Sequence, residues 1–446
     1  MADRGCTTGH APCTYANPVS DFIPYGRQTV DEHDVAEVAN ALREPLITQG
    51  PGVEAFECAF ADAVHARHAV AFSSGTAALH GAVAVCNLTP GEEVLTTPIS
   101  FVASSNCILY AGGRPRFADI DPSTFNLDAA GALATGAAEN IRAVVAVSLT
   151  GLPADLEPLQ PMRACGVRVI EDACHALGAY RGGQPVGGDG MADLSVFSLH
   201  PVKAITTGEG GVVTTDDKAL AARLRTFRNH GIVRPPAKAS TSCGLSDGGD
   251  DSGNCDPNEH ATDAHDPLLG PWHYDVTTLG FNYRITDFQC ALGHSQLRKL
   301  GGFIAVRNRI AARYRELLQK VEGLSLPPSA RDGDVHAYHL FVVRFTEGSQ
   351  RRRLVCERLR EENIGTQLHY IPIYRHSLYR SLGYSTRLPH AEQYYQSALS
   401  LPIAPAMTEQ QVARVAEALR RIMDEPLQLP GGSGDSCREK AVVAPE

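Results

Sequence analysis

Between Val53 and Thr215 short apolar runs rich in β-branched residues keep returning, each separated from the next by a stretch with helical spacing. Residues 68–72, 93–97, 114–118, 141–148, 167–171, 194–197 and 211–215 read as strands. Strands that alternate with helices form βαβ units, whose crossovers make the sheet largely parallel. The pattern predicts an α/β domain in which ligands sit in a crevice at the carboxyl ends of the strands.

Residues with reactive chemistry fall at those strand ends. The stretch Ser198-Leu199-His200-Pro201-Val202-Lys203 follows one expected strand and runs through a glycine-rich turn, Gly208-Glu209-Gly210-Gly211, into the next. Lys203 is thereby held in a corner between two strands. Burying an ammonium lowers its pKa and frees a nucleophilic amine, which Schiff-base chemistry requires. An isolated loop lysine is more often simply solvated, so its surroundings must decide. The run Val167–Ile170 stops at Glu171-Asp172, which aims Asp172 into the same crevice. A carboxylate there suits a pyridinium nitrogen, although an acid at a strand end is as often a helix cap. After strand 68–72, Ser73-Ser74-Gly75-Thr76 opens a helix whose free N–H groups make a phosphate site or an ordinary Ser/Thr cap. Gly75, Thr76, Asp172 and Lys203 in this order point to one cofactor, pyridoxal 5′-phosphate (PLP).

The strings SSGTAALH, TTPISFVASSN, VIEDACHALGA, FSLHPVKAITTGEGG and GFNYRITDFQCALG resemble the DegT/DnrJ/EryC1/StrS family of PLP-dependent nucleotide-sugar aminotransferases. The resemblance extends from about Phe22 to about Met423. It implies PLP-dependent transferase fold type I, with a large domain on a mostly parallel sheet and a smaller C-terminal α+β domain. It also implies L-glutamate as amino donor and a homodimer with shared active sites. Lys203 is then the catalytic residue. Phe101, otherwise a core aromatic, would stack on the PLP ring; His175, otherwise a satisfied histidine in a turn, would hold the cofactor hydroxyl. Ser198 joins the cofactor contacts, and Asn282 would reach the partner subunit's PLP phosphate, with Arg284 as second choice. Tyr25 is a candidate contact to the sugar. His369 and Tyr370 are candidates for lining the substrate mouth, whereas His336 and His339 read as ordinary strand residues. Within the family, FIPYGRQTV, LITQGP and HPVK resemble the branch that aminates C4 of a UDP-linked 4-keto-6-deoxy-N-acetylhexosamine in pseudaminic acid biosynthesis. Three alternatives stand beside it. One is another 3- or 4-ketosugar transaminase, for example of 4-amino-arabinose type. Another is the sugar dehydratase branch, which would have histidine in place of Lys203. The last is a non-catalytic PLP-fold regulator.

With 446 residues the chain has length for two or three domains. The reading is a disordered leader over 1–20, a large PLP-binding domain over 21–300 with a flexible insertion at about 235–270, a small domain over 301–425 and a flexible tail over 426–446. A net charge of -10 gives no electrostatic reason to expect nucleic acid. Twelve cysteines without a C-x-x-C pair or metal-like spacing read as reduced thiols of a cytoplasmic protein. No apolar run approaches the roughly 18 residues that span a membrane, and the start has no signal-peptide h-region.

Overall fold

The computed structural model describes residues 21–234 and 272–427, so the expectations for the leader, for the 235–270 insertion and for nearly all of the tail lie outside the described residues. All seven expected strands form, within one residue of their expected bounds: β1 (His68–Phe72), β2 (Glu93–Thr96), β3 (Arg114–Phe117), β4 (Ile141–Val147), β5 (Arg168–Asp172), β6 (Leu194–Ser198) and β7 (Gly211–Thr215). They make one sheet in the order β1-β7-β6-β5-β4-β2-β3. Strands β6, β5, β4, β2 and β3 pair in parallel, while β7 runs antiparallel to both of its neighbours. Because β6 and β7 are adjacent, antiparallel and consecutive in the chain, the loop between them stays at one end of the sheet. That loop carries Lys203.

Helices α1 (Glu32–Ala41), α2 (Pro51–Val64), α3 (Gly75–Ala84), α4 (Ala103–Tyr110), α5 (Lys218–Arg228), α6 (Asp287–Leu297) and α7 (Leu300–Leu318) follow. One hydrophobic cluster joins Leu79, Ala82, Ile108 and Leu224 to Val145 and Ile170 of the sheet. A second joins Phe56, Phe60, Leu297 and Ile304 to Ala71, Phe197 and Val212. A sheet with both faces covered must be apolar on both, which is why its strands read as continuous apolar runs rather than alternating ones. Each buried aromatic such as Phe56 or Phe72 contributes about 1.5–3 kcal/mol. Local chemistry sets the helix starts. Asp31 and Asp34 form a capping box on α1, and Thr286 and Gln289 form one on α6. The Asp287 carboxylate accepts the N–H groups of Gly50 and Gly52, both at 2.9 Å, which fastens the 280–287 motif to the start of α2.

Further along, β8 (Leu324–Ser325), β9 (Phe341–Phe345) and β10 (Ala398–Leu401) form an antiparallel three-stranded sheet. It packs with α7, α8 (Ser349–Glu361) and α9 (Glu409–Met423) around Tyr314, Phe341, Val355 and Leu419. The strand expected over 337–345 is shorter than that. Residues 335–340 leave the sheet and hydrogen-bond to the other end of the molecule: Val335 N–H to Tyr180 O at 2.9 Å, Ala337 N–H to Gly151 O at 2.9 Å and Leu340 N–H to Thr150 O at 3.2 Å. Gly151 permits this approach, since its φ is +99° and a Cβ there would lie 2.7 Å from His175 O. The deviation carries His336 and His339 away from the small sheet and toward the strand ends of the large one.

Among the described residues no helix is long and apolar enough to cross a membrane, and no cluster of His, Cys, Asp or Glu is arranged to hold a metal ion. The described cysteines are free thiols, with Cys86, Cys107 and Cys290 buried as the sequence suggests.

Candidate active site

The C-terminal ends of β5 and β6 and the start of α3 converge at one end of the sheet. Asp172 closes β5 and is buried. Its carboxylate accepts a hydrogen bond from Ser104 Oγ at 2.5 Å and another from the Cys174 N–H at 3.2 Å. It therefore caps the following turn while remaining in the crevice, so both readings of this acid hold. Ser104 is held in turn by Ser100 Oγ at 2.6 Å, one helical turn earlier.

Lys203 is half-buried in the β6–β7 loop, where its N–H bonds to His200 O at 2.9 Å. Desolvation holds its amine below the usual lysine range, an effect that Cys174 and Asp172 offset in part. An amine in that setting gives up its proton more easily than a solvated lysine does.

At the start of α3, Ser74 Oγ accepts the Ala77 N–H at 3.1 Å as the cap. A Cβ on Gly75 would lie 2.9 Å from Ser198 Cβ, and one on Gly211 would lie 2.5 Å from Ser74 O. Glycine at both places lets the helix start settle directly onto the ends of β6 and β7. The result is a cradle of free N–H groups beside Ser198 with the exposed Thr76 at its rim.

The far wall comes from the C-terminal half of the chain. Tyr370 OH lies 3.3 Å from His175 Nε2, and its ring centroid is 6.2 Å from those of both His175 and Phe101. Phe101 is 46% exposed, which removes the core reading of this aromatic. The His369 ring is 5.4 Å from that of Tyr25, and its Nδ1 meets Ser400 Oγ at 2.8 Å. His339 was expected to be an ordinary strand residue. It precedes β9 instead, and its ring packs 4.3 Å from that of His175. Burial pushes His175 and His339 well below the usual histidine range and His369 down to about 3, with the nearby Lys203 charge acting in the same direction. Burial pushes the Tyr370 phenol far up. This wall is therefore uncharged at neutral pH.

Contacts and charge interactions thus link Asp172, His175, Lys203, His369 and Tyr370, with Phe101 against Tyr370, Tyr25 against His369, and Gly75 against Ser198 beside the exposed Thr76. Asn282 and Arg284 lie elsewhere within the chain. Asn282 is exposed, in a segment pinned by Phe281 N–H to Phe227 O at 2.9 Å, Tyr283 N–H to Arg228 O at 3.0 Å and Ser73 N–H to Tyr283 O at 2.8 Å. Arg284 donates to Asn229 Oδ1 at 2.7 Å and lines an open cleft of about 520 Å³. Two residues of the site lacked a local signal in the sequence. Ser104 reaches Asp172 across 68 positions, and its only sequence mark is the four-residue spacing from Ser100. His339 has no such mark.

The arrangement fits PLP without adjustment. It offers a desolvated amine, a buried carboxylate with its second oxygen steered by a hydroxyl, an anion cradle closed to any side chain larger than glycine, an exposed ring, and a buried imidazole whose Nδ1 has no partner. Residues 28–420 match the DegT/DnrJ/EryC1/StrS aminotransferase family. The chain belongs to that family. Its members are PLP-dependent sugar aminotransferases, and the cofactor of this enzyme is PLP. The spore coat polysaccharide biosynthesis protein SpsC of Bacillus subtilis is 34% identical over 408 residues, covering 90% of this chain and 97% of SpsC. Among solved structures, PseC of Helicobacter pylori, an aminotransferase involved in the biosynthesis of pseudoaminic acid, superposes with a TM-score of 0.77 at 28% identity, over 90% of this chain and 99% of PseC. The aminotransferase TlmJ from Streptoalloteichus hindustanus gives the same TM-score of 0.77 and 28% identity, over 90% and 98% of the two chains.

Proposed function

We propose that this sugar aminotransferase moves the amino group of L-glutamate to C4 of a UDP-linked 4-keto-6-deoxy-N-acetylhexosamine, as in pseudaminic acid synthesis. The observation that carries the chemistry is the desolvated Lys203, in the loop after β6, within charge interaction of the buried Asp172 that closes the adjacent parallel strand β5. The likeness to PseC over nearly its whole length supports the choice of sugar.

When bound, PLP supplies an electron sink for the pair left behind as a proton leaves the amino-acid Cα. Lys203 would hold the cofactor at rest; once freed, its Nζ would take that proton and hand it on to the cofactor, acting as base and then acid. Asp172 keeps a proton on the ring nitrogen, with its oxygens fixed by Ser104 and the Cys174 N–H so that no reorientation is needed. The start of α3, with Gly75, Thr76 and Ser198, binds the phosphate. His175 hydrogen-bonds the ring hydroxyl, and Phe101 covers one ring face. Tyr25, His369 and Tyr370 present polar edges on an uncharged wall, which suits a sugar better than a second ion. In the homodimer we propose, Asn282 completes the partner subunit's phosphate site, with Arg284 as the second choice for that contact.

The equal match to TlmJ favours a second reading, in which the acceptor is a different nucleotide-linked ketosugar. A panel of UDP-linked and other nucleotide-linked 3- and 4-keto sugars assayed with L-glutamate separates the two. Turnover confined to the UDP-4-keto-6-deoxy-N-acetylhexosamines supports the proposal, and turnover on another sugar alone rejects it.

A further inference from the structure

An amino donor and a nucleotide sugar both bring oxyanions, a carboxylate in one and phosphates in the other, into a crevice whose far wall is neutral. A cation must meet them. Arginines line two of the clefts. In the larger, Arg228 and Arg225 are ion-paired with Glu57 at 2.5 and 3.6 Å, and Arg284 donates to Asn229, so their donors are engaged and Glu54 adds further negative charge.

The smaller is a narrow recess of about 10 Å³ beside Lys203 itself. Arg27, Gln28 and Thr29 line it together with Lys203, Gln296 and Phe303, and no carboxylate does. Arg27 is exposed and, among the described residues, makes no hydrogen bond or ion pair. Thr29 Oγ1 is buried without a partner. The backbone that carries them is nonetheless fixed: Ile23 N–H bonds to Asn363 O at 2.8 Å, Ile403 N–H to Tyr25 O at 3.0 Å and Gln296 Nε2 to Thr29 O at 2.9 Å. A guanidinium without a partner among the described residues, on a pinned strap beside Lys203 and with no carboxylate in the recess lining, is prepared for an anion. In a chain of net charge -10 such a place stands out electrostatically.

We propose that Arg27 and the recess it shares with Lys203 form the seat for a substrate oxyanion, either a carboxylate of the amino donor or a phosphate of the nucleotide sugar. The inference rests on the aminotransferase reading above and names the cation which that reading requires. A guanidinium grips either group through two parallel N–H bonds, so losing the fork weakens binding even when the charge remains. The recess itself admits little more than one water, so the oxyanion would sit at its mouth against Arg27, with the rest of the substrate extending outward.

The test uses wild-type holoenzyme and the variants Arg27→Gln, Arg27→Lys and Arg27→Glu, with melting temperature as the check on folding. One arm titrates L-glutamate and 2-oxoglutarate against the absorbance of the bound cofactor. The other titrates UDP and inorganic phosphate by calorimetry. Affinity in one arm should fall about 10- to 100-fold in Arg27→Gln, with Arg27→Lys between it and wild type and Arg27→Glu lowest. The limiting rate should change little, since this contact is equally present before and during reaction. A loss in the first arm assigns the recess to the donor carboxylate, and a loss in the second assigns it to phosphate. Affinities within about twofold of wild type in both arms for Arg27→Gln and Arg27→Glu overturn the proposal. If L-glutamate leaves the wild-type spectrum unchanged, the donor reading fails by itself. The second arm then still scores Arg27: weaker UDP or phosphate binding in the variants supports the seat, and equal or absent binding rejects it.

Discussion

Two walls of the same crevice are built in opposite ways. The sheet wall takes Asp172, Ser198 and Lys203 from strand ends and the loop between them, and Gly75 from the helix start that rests on the same strands, so neighbouring residues in the sequence already determine where each side chain goes. The C-terminal wall takes His339, His369 and Tyr370 from segments outside any strand of the small sheet, placed only by contacts with distant residues such as Thr150 and Ser400. The sheet wall holds an amine and a carboxylate, and the C-terminal wall is kept neutral by burial. The difference separates tasks. In the function we propose, chemistry common to every substrate sits where secondary structure fixes geometry, and fit to one substrate sits where tertiary packing can vary.

If that division is right, damage to the sheet wall should abolish reaction with any substrate. Lys203→Ala should remove transamination altogether and leave no cofactor that borohydride can fix to the protein. Turnover within about tenfold of wild type would break the comparison at its strongest point. Asp172→Asn should cost orders of magnitude in rate and almost nothing in apoprotein melting temperature. The amide keeps the volume, and Ser104, whose hydroxyl is both donor and acceptor, can turn to accept from it. A near-normal rate would mean that another group serves the ring nitrogen; a large drop in melting temperature would mean that Asp172 acts through the fold.

The same contrast explains what the sequence disclosed. The seven strands, Lys203, Asp172 and the Ser74-Gly75 helix start were all legible because each follows from residues within a few positions of it. Ser104 on Asp172 and Tyr370 on His175 were not, since those contacts span 68 and 195 positions and leave no periodic trace. The strand expected from residue 337 failed for a related reason: its apolar pattern suits a strand, but Gly151 O and Thr150 O offer the Ala337 and Leu340 N–H groups partners that only the folded chain contains. Arg27 passed unnoticed because an arginine in a turn looks solvated until the recess behind it is seen.

Asn282 belongs to neither wall of its own chain, which makes the proposed dimer the next point at which to press the comparison. Lys203→Ala protein mixed with a protein disrupted at Asn282, under conditions of subunit exchange, should regain activity. Each mixed dimer holds one site with both residues intact and one with neither. An equal mixture contains mixed dimers as about half of its population, so recovery should approach about a quarter of the wild-type rate. No recovery, despite demonstrated exchange and a clear defect in each parent, would place Asn282 and Lys203 in one subunit's site.

The smallest effect concerns how the C-terminal wall stays neutral. His336 is buried, stacks on Tyr338 at 3.8 Å, accepts the Tyr338 N–H through Nδ1 at 2.8 Å and faces Thr150 Oγ1 through Nε2 at 3.3 Å. With Nδ1 accepting, Nε2 carries the ring's one proton, and a second proton on Nδ1 would destroy the Tyr338 bond. Burial, aided by the Arg315 charge, accordingly lowers its pKa from 6.5 to about 3. The unfolded chain therefore takes up the proton first as pH falls. The stability tied to a neutral His336 is complete above pH 6.5 and drains away between there and about pH 3. One site contributes at most about 1.4 kcal/mol per pH unit in that window. His369, lowered likewise to about 3, adds to the same slope. His336→Gln keeps a carbonyl for the Tyr338 N–H and an amide for Thr150 but cannot take a proton. Urea unfolding of the full chain at intervals from pH 7 to pH 4.5 should show a flatter loss of stability in this variant, by up to one proton per molecule. An unchanged slope would mean that His336 is as easily protonated in the folded protein as outside it, and that the neutrality of this wall does not depend on burial at that position.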